Sequence, residues 1–481
     1  MWWGLLAFIL FVCAVVVIYH GPVAGLGTGV LISFLFPCWI DESIGLADID
    51  LRVATSLIML LVNLFHPARR ISWRFRAGDW AVFALYFVHV ASDSWHDGFA
   101  FSHFVRAFGE WSIPYIAGRL AVQTIQDWRW LTGVAVIVAT LCSIAATSES
   151  LTRVNFANPV FGERPVDRTP QIMIRGGVKR AEGPTRHPIW FGMVQTLLIP
   201  WVIAAVYRSL RSDGPLWWTA MPIVSLFGIL ATASRGPALA TLGICYLTMV
   251  FCLPKWRTIL IIAGLILAGV GYFAKDAVLQ QLEDWGAKKW GSASKQVNVE
   301  LEGKQHRLTA MSARWLVLLA YVPAVREAGL LGYGTERTAT FPVNVPLGPD
   351  AKQTVAEFWT IDCEYLLLLL RFGWAGVASF IAVCTLSAWR IANQSIFVNR
   401  DERIFPFAVA ATLIAVSLTL IGEWMPHDYG FLFLWLCGVA NGPRLEQATP
   451  EPERRMVRKV RRNVSRPGAD RMGETEMTNI D

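Results

Sequence analysis

Thirteen stretches of this chain are apolar over about the length needed to cross a bilayer, which is about 20 residues. They lie near 2–19, 22–39, 50–66, 78–92, 100–118, 129–147, 188–206, 216–233, 237–253, 258–274, 365–388, 406–421 and 428–441. The second and the last are short or glycine-rich, so twelve is the alternative count. None shows the two-residue alternation of a membrane barrel, and a helix satisfies its backbone hydrogen bonds internally. The expected fold class is all-α: a polytopic membrane protein with about 12–13 transmembrane helices and a large, partly helical outer loop. Composition agrees, with 16% charged residues where a soluble domain carries about 25%.

Arginine and lysine in short connections set the orientation. The connections "HPARRISWRFR" (66–76), "YRSLRSDG" (207–214), "PKWR" (254–257) and 389–405 are basic and fall on one side if the spans alternate. The segment 442–481 joins them with "RRMVRKVRR" (454–462) and reads as a disordered cytoplasmic tail on a transmembrane domain of 1–441. Such a run is suited to anionic lipid rather than nucleic acid. The N-terminal "MWWGLLAFILFVCAVVVIYH" lacks a charged leader region and runs on as the first span. Eight scattered cysteines form no CxxC pair, so no disulfide framework or zinc site is expected. The long connections 148–187 and 275–364 fall on the opposite face. Loops of that length are usually functional. In the larger, "RLTAMSARWLVLLAYVPAVREAGLLGYG" (307–334) has helical apolar spacing and a glycine stop. It reads as an amphipathic helix along the outer interface.

Polar residues gather at the outer mouths of spans. In "RAEGPTRHPIWFGM" (180–193), Arg180, Arg186 and His187 lead into a helix that starts at Pro188. A helix N-terminus favours an anion, although arginines there also serve as headgroup contacts. In "TASRGPA" (232–238), Arg235 sits in a turn between two spans, either snorkelling or facing a ligand. In "IDCEYLLLLLRFGW" (361–374), Asp362 and Glu364 precede five leucines. Asp362 reads either as a helix cap or as a general base. Arg314 lies in the same outer loop, and its planar fork suits phosphate oxygens. Arg371, inside the helix, reads as a structural partner for an acid on another helix. A fourth group, His103, Arg106 and Glu110, shares one face of the fifth span, with Arg106 and Glu110 spaced to pair. The turn "EWMPHD" (423–428) adds Glu423 and His427. No G-x-x-x-x-G-K-[ST] loop and no metal-ligand spacing occurs, so neither an ATP engine nor a metal is expected.

Taken in order, "RAEGPTRHPIWFGM", "ATASRGPALA", "SARWLVLLAYVPAVREAGLLGYG" and "DCEYLLLLLRFGWAG" resemble the O-antigen ligase and polymerase superfamily of bacterial inner-membrane glycosyltransferases, over roughly 100–440. The resemblance implies a metal-independent enzyme without cofactors that moves glycan from an undecaprenyl-diphosphate carrier at the periplasmic face. Its partners would be that lipid-linked oligosaccharide, membrane lipid and, for a polymerase, a chain-length regulator; nucleic acid is not implied. Arg180, Arg235 and Arg314 correspond to diphosphate-binding arginines, with Arg186 adjacent and His187, Arg106 and Glu110 as further candidates; Asp362 and Glu364 are the catalytic candidates. The ligase branch has a histidine-asparagine pair where this chain has Asp362 and Cys363. The aspartate resembles polymerases of repeat units. Ligation to lipid A core or another acceptor, and transport of polyprenyl-linked glycan, are the alternatives; a transporter would show internal repeats, and none is evident.

Overall fold

The computed structural model describes residues 1–43, 48–66, 74–162, 174–175, 177–211, 214–267, 269–270, 273, 297–301, 304–308, 318–338, 343–346, 355–358, 361–396, 398 and 402–443. Each of the thirteen apolar runs overlaps helix among the described residues, although the run 22–39 is helical only over Pro22–Ser33. Five helices are long and apolar enough to cross a membrane by length and composition: Trp2–His20, Ile125–Thr152, Pro188–Leu210, Arg235–Cys252 and Glu364–Gln394. Shorter apolar helices include Pro22–Ser33, Leu51–Phe65, Arg257–Leu267 and Ile404–Thr419. The only sheets among the described residues are four two-stranded antiparallel hairpins. The chain is an all-α polytopic membrane protein. Residues Met1–Leu445 make one compact unit, while Glu446–Asp481 lie outside the described residues.

The bundle is built around the helix His427–Ala440, which is buried at every position from Asp428 onward. A helix apolar all round belongs at a centre rather than at a lipid face. Its close neighbour is Ile113–Ala121. A Cβ on Gly438 would come within 2.1 Å of the Tyr115 carbonyl oxygen, so only glycine permits this approach of two backbones. Trp128, Trp201 and Trp435 fill the adjoining core.

Contacts between helix ends sort the connections into two sets. At one end the Arg119 Nε–Asp79 Oδ1 pair is 3.3 Å and Tyr115 donates to Asp79 at 2.7 Å. Arg76 donates to the carbonyls of Asn441 and Gly442 there, and Gln394 donates to Ala440 at 3.3 Å. Arg129 pairs with Glu402 at 2.6 Å. This is the end of the arginine-rich connections. Among the described residues, Cys38, Asp50, 178–187, 231–235, 361–364 and 420–428 meet at the other end.

Two expectations need correction. Residues 307 and 308 belong to a strand, Lys304–Leu308, which pairs with Val297–Leu301. Helix appears downstream, at 318–320 and Val322–Ala328. The glycine stop is real: Gly329, Gly332 and Gly334 all have positive φ. Beyond it the chain docks into a break in Glu364–Gln394, where Gly373 has φ 62° and ψ −163°. Tyr333 N donates to Leu370 O at 2.7 Å, Gly334 N to Arg371 O at 2.9 Å and Ala375 N to Leu330 O at 3.1 Å. Backbone groups freed by the break are thereby paired again. The second correction concerns Arg106 and Glu110. A π-turn over Phe108–Ser112 adds a residue to the spacing. Arg106 pairs instead with Glu336 at 3.0 Å, and Glu110 lies 3.8 Å from His89.

Candidate active site

The site grows from three supports. The first is the segment 178–187. Ile125–Thr152 ends at Arg153, in the left-handed region, and its buried Glu149 accepts from Gly183 N at 2.9 Å and Glu182 N at 3.2 Å. Lys179 Nζ lies 3.3 Å from the same carboxylate. A buried carboxylate satisfied by backbone amides fixes a loop strongly.

The second support is the turn 232–234. Met221–Ala231 closes through Thr232 and Ala233, whose φ is 45°. Arg235–Cys252 then starts from Ser234. Arg180 is buried at 6% exposure and clasps this turn. Its Nε donates to Thr232 O at 3.2 Å and its Nη2 to Ser234 Oγ at 2.9 Å. Ala181 N donates to Ala231 O at 3.0 Å, and Arg175 donates to Ala233 O at 2.8 Å. Among the described residues Arg180 Nη1 makes no hydrogen bond. Burial and the neighbouring Arg175 lower the Arg180 guanidinium to about 10, against an opposing pull from Glu182 and Glu423. It stays a cation at neutral pH.

The third support is the turn 420–425. Glu364 is buried at 3% exposure. Its backbone N donates to Leu420 O at 3.0 Å, and its Oε2 accepts from Met425 N at 2.7 Å. The residue that caps Glu364–Gln394 is Cys363, with no side-chain bond. Asp362 is therefore not the cap that the sequence allowed.

A cavity of about 840 Å³ lies among these supports, and a second of about 740 Å³ shares Trp424 with it. The first, about 840 Å³, is lined by Arg175, Arg180, His187, Arg235, Asp362 and Glu423 among others. Three arginines stand there against two carboxylates. The N-termini of Pro188–Leu210, Arg235–Cys252 and Glu364–Gln394 all start within or beside this lining. Their aligned peptide dipoles add partial positive charge. Fixed guanidinium groups, helix N-termini and nearby carboxylates suit a polyanion next to a proton acceptor.

The second cavity, about 740 Å³, is lined by Asp41, Asp50, Arg106, Glu110, Arg186 and Arg371 among others, and Trp424 lines both cavities. Arg186 and His187 thus go to different cavities. In extended backbone, as at His187 (φ −154°), successive side chains alternate sides. Arg186 is fixed by its own amide, which donates to Asp428 Oδ2 at 2.9 Å, and its Nη2 reaches Cys38 O at 3.4 Å. His427 Nε2 lies 3.3 Å from Asp50 Oδ2. Although burial opposes ionisation of Asp50, His427 and Arg52 hold its carboxyl well below the ordinary range.

Of the sequence candidates, Arg180, His187, Arg235 and Asp362 come together in the first cavity. Arg186, Arg106 and Glu110 line the second, and Glu364 is buried as a brace for the 420–425 turn. Arg314 lies outside the described residues. Arg371 makes no ion pair among the described residues; its carbonyl anchors Gly334 N and accepts from Ser92 Oγ at 2.8 Å. Glu423 and Trp424 rank far higher in the structure than in the sequence. They lie in a short turn whose only signal is that it follows a span on the side of Asp362.

Residues 220–381 match the family model of the O-antigen ligase. Among curated proteins, none matches the chain. The matched segment contributes Arg235 and Asp362 to the first cavity, while Arg180 and Glu423 come from either side of it.

Proposed function

We propose, from the match of residues 220–381 to the O-antigen ligase family model and from the geometry of the first cavity, a polymerase that joins undecaprenyl-diphosphate-linked oligosaccharide units at the periplasmic face of the bacterial inner membrane. One observation carries the reading: Arg180 and Arg235 share a cavity with Asp362 at the end of the bundle opposite the basic connections. The diphosphate of the donor lies against Arg180, Arg235 and the helix N-termini, with its polyprenyl tail left in the bilayer. Arg314 and a chain-length regulator remain part of the proposal.

In the transfer step an acceptor hydroxyl oxygen bonds to the anomeric carbon of the donor. The bond from that carbon to the phosphate oxygen breaks, and its electron pair leaves with undecaprenyl diphosphate. Asp362 accepts the hydroxyl proton. Preorganised guanidinium groups stabilise the charge that develops on the leaving group. No nucleotide or metal enters the step as written. Aspartate where the ligase branch has histidine favours polymerisation over ligation.

The test is Asp362→Asn in cells and in reconstituted membranes. Single repeat units should accumulate on the carrier while the protein persists in the membrane at its normal level. Polymer of normal length from that variant removes Asp362 from the reaction. Reconstitution with lipid-linked oligosaccharide alone separates the alternatives. Longer glycan on the lipid marks a polymerase, transfer only on addition of a second acceptor marks a ligase, and translocation without transfer marks a transporter.

A further inference from the structure

We propose that the second cavity is a saccharide site that holds the acceptor glycan beside the diphosphate cavity, with Trp424 as their common wall. The inference rests on the glycosyl-transfer reading above and gives it a second substrate site. The cavity volume, about 740 Å³, falls within the usual range for ligand pockets, about 300–1,000 Å³.

Its chemistry differs from that of the first cavity. Asp41 and Asp50 are cross-strand neighbours in one hairpin, and both line it with Glu110. Arg106, Arg186 and Arg371 come from three other elements. With Asp428 the lining holds four carboxylates against three guanidinium groups, which disfavours a diphosphate, whereas interspersed acids and guanidinium groups suit a neutral ligand covered in hydroxyls. A hydroxyl both donates and accepts. Two buried atoms of the lining, Asp50 Oδ2 and Arg371 Nε, make no hydrogen bond among the described residues. Asp50 Oδ2 has only the His427 ion pair at 3.3 Å and a more distant Arg52 at 3.8 Å. A sugar hydroxyl can satisfy either atom, and burying polar atoms unsatisfied is costly. Trp424 supplies an apolar face with a polar edge, and Trp190 packs on it from the first cavity at 5.3 Å. An acceptor in the second cavity therefore reaches the Trp424 edge of the first, where its terminal hydroxyl meets the donor sugar and Asp362.

The experiment uses the full chain in detergent. The probe is the repeat-unit oligosaccharide released by mild acid from the carrier lipid of the producing cells, and binding is followed by saturation-transfer NMR. Asp41→Ala and Glu110→Gln should each weaken binding about tenfold, the loss of one charged hydrogen bond. Arg235→Ala, in the other cavity, should change it by less than about twofold. With the released oligosaccharide added as a soluble acceptor, the same two variants should raise its KM in transfer and leave KM for the lipid-linked donor unchanged. Asp41 is exposed, so its substitution tests the site even if Glu110→Gln disturbs the packing around His89. Unchanged oligosaccharide binding in Asp41→Ala and Glu110→Gln, or an equal loss in Arg235→Ala, overturns the inference, as does failure of the wild-type chain to bind the probe. The polymerase reading is judged separately, by elongation on the carrier in Asp362→Asn, which needs no free oligosaccharide.

Discussion

On the proposed reading, single residues at the first cavity divide into groups that meet the substrate and groups that hold those groups still. Arg235 is in the first class by position. Arg235→Ala should lower kcat/KM at least about tenfold, and Arg235→Lys should recover only part of it, because an ammonium lacks the guanidinium fork. Equal activity of lysine and arginine variants would mean that charge alone is used. Glu364 is in the second class. Its carboxylate lies behind the lining and accepts from the Met425 amide. Glu364→Ala should therefore cost about 1–3 kcal/mol in thermal unfolding, whereas Asp362→Asn should leave the unfolding transition in place. Unchanged stability in Glu364→Ala would return that carboxylate to the list of reacting groups. Glu149 braces the opposite wall through Glu182 and Gly183 in the same way.

Among the elements, the broken helix Glu364–Gln394 depends most on one residue. Gly373 sits at a φ that disfavours any side chain, and a Cβ there would come within 2.3 Å of Leu330 O. The docked segment would have to leave. Gly373→Ala should destabilise the protein by about 2–4 kcal/mol, strain and lost pairing together, read as a lower unfolding temperature in detergent. Gly133, with nothing within 4 Å of its would-be Cβ, is the control. Gly133→Ala should be neutral or slightly stabilising. If both behave alike, the docked segment is not what holds the break. The same element explains how a loop so distant in sequence stays close to the bundle. Thr335 N donates to Asp93 Oδ1 at 2.7 Å, and His96 shares a hydrogen with Gly332 O at 2.7 Å.

For the whole molecule, the sorting of connections predicts sidedness. In a cysteine-free background, Arg175→Cys should react with a membrane-impermeant maleimide added to the periplasmic side, and Arg211→Cys should not. The opposite pattern would turn the bundle over and move the proposed chemistry to the cytoplasm. Much of this architecture is legible in the chain because a bilayer leaves few choices. A run of apolar residues must be helical there, since the alternative strands unpaired backbone in hydrocarbon. Hence each apolar run overlaps helix among the described residues. The basic connections mark one end for the same reason. Arg180, Arg235 and Asp362 stand out because charge at the mouth of an apolar span is costly and marks a candidate site.

What the chain does not announce is which charged mouths meet. Arg186 and His187 are adjacent, yet extended backbone sends them to separate cavities. Arg106 and Glu110 have pairing distance on paper, yet one π-turn parts them. Glu423 gains its place only because Glu364 folds the 420–425 turn back toward Arg180. Local sequence determined the helices, their order and their direction, since each depends on the solvent around its own residues. Tertiary structure alone decided the composition of the two cavities, since that depends on packing among helices far apart in the chain and on breaks that no hydropathy pattern encodes.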